Sequence, residues 1–85
     1  IAQEPEKASN YVNRAWAQKA ANQLNKGLNS ATQAIKYDDR NHEAYLILGL
    51  IFLEKEKFKN ACDNFNKAVA RGSELAKKYM QENCN

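Results

Sequence analysis

Eighty-five residues allow one small domain, and a formal charge of +3 with 27% charged and 44% hydrophobic residues is the balance of a folded chain, not of a disordered one. Three Gly and one Pro argue against a turn-rich β-sandwich, and the length leaves no room for a large enzyme with a deep pocket. The longest apolar run, Ala44–Leu53, has ten residues and includes Gly49, well short of a membrane span. A core of this size is marginal, so a covalent staple or a binding partner is to be sought.

The chain begins at Ile1 without Met and reads as a processed product or a cut piece. Ala2-Gln3-Glu4-Pro5 is similar to the junction that follows many bacterial secretory signals, where cleavage comes after a small residue. An arbitrary cut explains the same start. The junction favours a periplasmic or secreted setting over a cytoplasmic one.

Pro5 suits the first turn of a helix running to about Ala21. Asn22 tolerates the left-handed conformation that ends it. A second helix over about Leu24–Tyr37 carries Leu24, Leu28, Ala31 and Ile35 on one stripe. Asp38 is the expected N-cap of a third helix, about Asp39–Glu54. The run Glu54-Lys55-Glu56-Lys57 reads as a solvated turn. A fourth helix, about Lys57–Arg71, holds Phe58, Ala61, Cys62, Phe65, Ala68 and Val69. Gly72 stops it, and Ser73 caps a fifth helix ending near Asn83.

Two cysteines, Cys62 and Cys84, are compatible with one disulfide or with two idle thiols. They make no C-x-x-C, and the single histidine, His42, cannot complete a tetrahedral metal site. His42 is expected as a solvated first-turn residue. The Asp38-Asp39 pair is explained by a cap and a first-turn charge. There is no Gly-rich phosphate loop. Lysines are dispersed among acids, so no basic stripe points to nucleic acid. No metal, cofactor or catalytic residue is expected.

Tyr11, Tyr45 and Tyr79 recur at intervals of 34 residues, and so do Ala34 and Ala68. The same shift pairs Ala15 with Gly49, Gly27 with Ala61, Leu24 with Phe58 and Ile35 with Val69. Each interval holds two helix-period stretches, which makes it a helical hairpin. Within the second interval, Tyr45, Leu48-Gly49, Phe52, Ala61, Phe65 and Ala68 stand in order and at the spacing of a known pattern. This unit, His42–Leu75, resembles a tetratricopeptide repeat, a family with a period of about 34 residues. The preceding unit, Ala8–Asn41, keeps Tyr11, Ala15, Gly27 and Ala34 but has Arg14, Gln18 and Ala31 where Leu and two aromatics are usual. Residues 1–7 form an arm or the start of the first helix. Ala76–Asn85 resembles the start of a third unit, with Tyr79 equivalent to Tyr45, and serves as a capping helix with Leu75, Ala76, Tyr79 and Met80 inward.

The resemblance implies an all-α, right-handed superhelix of two hairpins plus the cap, with Gly27, Gly49 and Ala61 kept small where helices cross. It implies a concave groove lined by the first helix of each unit, and with it binding of a protein or peptide. The groove residues are Val12, Trp16 and Lys19 in the first unit and Leu46, Ile47, Leu50 and Leu53 in the second. The second set is unusually apolar, and Tyr45–Leu53 is apolar almost all round, as in a helix covered on every side. The surplus is open to a partner helix or peptide, to a second copy of the chain, to the chain's own N-terminal arm or a neighbouring repeat folded over the same face, or to no occupant, as idle exposed side chains. Trp16 is either the principal contact or packed against the N-terminal turn. Family members that hold chaperone tails use a carboxylate clamp, whose places are here Val12, Trp16, Ile47, Lys77 and Gln81. Only Lys77 agrees, so that subtype is not expected. Cys62 lies where the family packs toward the next helix, which makes a bridge to Cys84 across about 22 residues sterically reasonable.

Overall fold

The computed structural model describes residues 3–84. Within them the chain is all-helical, with five helices, α1 Pro5–Ala20, α2 Leu24–Tyr37, α3 His42–Glu54, α4 Phe58–Ala70 and α5 Glu74–Asn83. The expected secretory-type junction, Ala2-Gln3-Glu4-Pro5, has its first residue outside the described residues. Its next residues are tied down elsewhere. The Glu4 N–H donates to the Tyr37 carbonyl at 2.7 Å, and the Gln3 amide pairs with Asp39. Pro5 opens α1, where a missing N–H costs nothing. The described part of the arm, from Gln3 on, therefore lies at the α2–α3 turn and not along the groove.

Three of the turns share one geometry. Asn22, Glu56 and Gly72 take φ of 61°, 60° and 102°. The residue after each donates five positions back: Gln23 to Gln18 O, Lys57 to Phe52 O and Ser73 to Ala68 O, at 2.8, 2.9 and 3.0 Å. Each left-handed residue also donates three positions back, to Lys19 O, Leu53 O and Val69 O. This Schellman closure satisfies carbonyls that a helix end leaves open and reverses the chain at once. The turn after α2 differs, and it corrects the expected start of α3. Asp38 closes α2 in extended conformation, and its Oδ1 accepts from Arg40 N at 3.1 Å. Asn41, not Asp38, caps α3 by accepting from Ala44 N. The chain needs all of 38–41 to reverse direction there, so the cap falls on the last polar residue.

Helices pack chiefly on their chain neighbours, α1 on α2, α2 on α3, α3 on α4 and α4 on α5, with α1 also meeting α3. One core cluster joins Ala8, Val12 and Ala15 of α1, Ala31 and Ala34 of α2, and Ala44, Ile47, Leu48 and Ile51 of α3. A second joins Tyr45 and Leu46 of α3 to Ala61, Phe65 and Ala68 of α4 and Ala76 of α5. Helix α3 thus contributes to both. Its apolar circumference is used mainly by the chain itself, which accounts for most of the surplus noted in the sequence.

Glycines are set where side chains leave no room. A Cβ on Gly49 would stand 2.5 Å from Phe65 Cδ1 and Cε1, and one on Gly27 would stand 2.9 Å from Ile51 Cδ1. Helix α5 corrects a further expectation. It begins two residues earlier, relative to α3, than a strict 34-residue shift allows. Ala44 and Ala76, both fully buried, occupy corresponding places as third residues of their helices. Tyr79 is therefore the counterpart of Ile47, not of Tyr45. It stacks on Phe65 with centroids 5.6 Å apart. Leu75, expected inward, is 48% exposed, because the inward stripe runs through Ala76, Tyr79 and Met80.

Candidate functional site

The groove expected along α1 and α3 divides into a packed part and an open part. Val12, Leu46 and Ile47 are only 3%, 4% and 0% exposed. They are core residues here, because α3 is the middle helix of the stack and its neighbours close over those positions. Trp16, Leu50 and Leu53 are half-buried. All three pack against the second cluster, and Trp16 touches the first as well. Trp16 thus bridges the two hairpins and keeps part of its surface in solvent. Lys19 Nζ meets Glu54 Oε2 at 2.9 Å, an ion pair at the end of the patch. In the register set by Ala44 and Ala76, Lys78 and Glu82 of α5 follow Leu46 and Leu50, and both are exposed. The result is a small, partly open apolar strip with an ion pair at one end.

Cys62 and Cys84 form a disulfide, with Cα atoms 5.9 Å apart and a sequence separation of 22. Cys84 stands where Phe52 does in that register, and Cys62 where Leu28 does at the 34-residue spacing of α2 and α4; Leu28 and Phe52 both pack on the first cluster. A covalent bond replaces apolar packing at the second hairpin junction. His42 is an exposed first residue of α3. Among the described residues, no group of His, Cys, Asp or Glu could hold a metal ion, and no helix is long and apolar enough to cross a membrane.

Several arrangements were not read from the sequence. Gln18, which departs from the repeat pattern, accepts a 2.6 Å hydrogen bond from Ser30 Oγ across the α1–α2 hairpin. The buried Ser30 is satisfied by it, so the departure is compensated. Arg71 lays its guanidinium 4.4 Å over the Tyr45 ring and donates from Nε to the Asp39 carbonyl at 2.7 Å. It locks the α2–α3 turn onto α4. At the 34-residue equivalents, Tyr37 stacks on Tyr11 at 5.5 Å and 10°. The shift that pairs Tyr11 with Tyr45 also pairs Tyr37 with Arg71, and that was the available signal.

With this geometry in view, similarity to known proteins is informative. The chain is 35% identical over 79 residues to the mitochondrial import receptor subunit TOM70 of Rattus norvegicus, and to that of Mus musculus. It is 34% identical to the Homo sapiens protein over the same length. The match takes in 92% of this chain and 12% of each receptor subunit, so the chain spans about an eighth of the relatives' length. No family model matches the chain, and no solved structure matches it.

Proposed function

We propose that the chain is a non-catalytic protein-interaction module of the tetratricopeptide type. In this reading residues 8–41 and 42–75 are its two repeats and the last helix is their cap. It binds a helix or extended peptide of another protein along the strip of Trp16, Leu50 and Leu53. The observation that carries the reading is Trp16. It is the only tryptophan, it spans both core clusters, and it remains partly open beside two leucines. Aromatic anchors half-set in a packed surface are the usual centres of binding energy. Similarity to a segment of import receptor subunits supports a polypeptide as the ligand. Lys19 and Glu54 would then form the rim, which sets orientation more than affinity.

The rival reading is a homodimer through the same strip. Leu50→Glu separates the two, because it should split a dimer but leave a monomer folded and unable to bind. The direct test is affinity capture with the native chain, Trp16→Ala and Leu50→Glu, followed by rebinding of the purified candidate. Retention by the native chain alone supports the groove. A candidate that binds all three equally well removes it.

A further inference from the structure

The face of α1 that points away from α3 carries chemistry that the groove does not use. Lys7, Asn10, Tyr11, Arg14 and Tyr37 line an open depression of about 370 Å³. Lys7 Nζ lies 5.2 Å over the Tyr37 ring, and the Arg14 guanidinium lies 5.2 Å over the Tyr11 ring. The stacked tyrosines therefore hold two cations apart, one over each ring. Every polar side chain lining the depression can donate a hydrogen bond, and none is a carboxylate. Glu4 Oε1 approaches Lys7 at 3.3 Å from the neighbouring turn, and that pair is exposed, so it holds Lys7 only weakly.

The repeat shows what a surface at this place can accept. The shift of 34 residues puts Asn10, Asn13, Arg14 and Ala17 of α1 where α3 has Ala44, Ile47, Leu48 and Ile51. On α3 those four residues are buried in the cluster shared with α2. On α1 all four are exposed. The site thus has the outline of a helix-docking face in which three of four apolar positions are exchanged for two amides and a cation, the fourth being the small Ala17. We infer that this face binds an acidic helical segment of a polypeptide, whose carboxylates meet Arg14 and Lys7 while its stem lies on Tyr11 and Tyr37. Carboxylates pair with guanidinium through charge-assisted hydrogen bonds, and a cation held over an aromatic ring is partly ordered before the partner arrives. The assignment does not depend on the groove, which lies on the other side of α1.

The test is a titration with a helical peptide bearing Glu on one face and no Lys or Arg, followed by amide and tyrosine-ring NMR signals. The expected shifts centre on Lys7, Asn10, Tyr11, Arg14 and Tyr37, and they fade as salt rises from about 50 to about 500 mM. Arg14→Gln, an exposed change, weakens binding roughly fivefold, and the peptide with Gln for Glu does not bind. Trp16→Ala leaves the affinity unchanged. Three results would each overturn the inference: shifts spread over all lysines, native affinity retained by Arg14→Gln, or the same shifts produced by inorganic phosphate at the same concentration, the mark of a small-anion site.

Discussion

Single residues decide how closely the helices approach. Gly49 faces the ring of Phe65, a fully buried side chain on which Tyr79 also stacks. Gly27 faces the terminal methyl of Ile51, the far end of a flexible side chain, with the Ala15 carbonyl and the Lys19 N at ordinary contact distance. Replacing either by Ala gains about 1 kcal/mol of helix propensity. At Gly27 the gain offsets the clash, and thermal unfolding should move little. At Gly49 overpacking costs about 1–3 kcal/mol or more, so Gly49→Ala should lower the midpoint by several degrees, at roughly 4–8 °C per kcal/mol for a domain of this size. Equal effects at the two sites would refute the distinction. Glu56 holds a left-handed conformation that costs a residue with a side chain about 1–2 kcal/mol. Glu56→Gly should therefore raise stability by about 0.5–1 kcal/mol in chemical denaturation, the balance left after the unfolded chain gains freedom. The small residues were legible in the sequence, because they recur at a fixed interval. The strained glutamate was not, because nothing in a charged run shows which residue takes positive φ.

Among the elements, α3 and α5 differ most in how they are held. Helix α3 has neighbours on both sides and fills two clusters, which explains why it is apolar all round. That pattern was visible in the sequence, but what covers it was not. Burial depends on how hairpins stack, so Val12, Leu46 and Ile47 passed for groove residues until the neighbouring helices were in place. Helix α5 buries only Ala76 fully and packs chiefly on α4. Its principal restraint is the bond between Cys62 and Cys84. Closing a loop of 22 residues stabilises by about 3 kcal/mol in the chain-entropy account. The double change Cys62→Ser and Cys84→Ser should therefore cost roughly that much. Amide exchange should speed up first and most in α5, with α1–α3 nearly unchanged. Uniform acceleration across all helices would show that the bond stabilises the whole fold and not its last element. The helix limits were read to within three residues. The regular spacing of tyrosines misplaces Tyr79, because α4 and the turn after it are each one residue shorter than their counterparts.

For the molecule as a whole, the extents of 35 × 27 × 17 Å describe a short slab with a narrow strip of open apolar surface. A stable dimer needs about 800 Å² from each partner. Three half-buried side chains, Trp16, Leu50 and Leu53, do not supply that from a total surface of 5343 Å². The chain is expected to remain monomeric at micromolar concentration by light scattering, and a concentration-dependent dimer would return the homodimer reading to first place. The nearest-neighbour packing of the helices also governs how the chain finds its fold. Almost every cluster forms between stretches joined by a turn of three or four residues, so little loop entropy is lost before contacts are made. Topologies of this kind fold on the microsecond-to-millisecond scale. Order can spread from hairpin to hairpin in either direction, and the slow event left over is chemical, the joining of two thiols that the α4–α5 turn has already brought together.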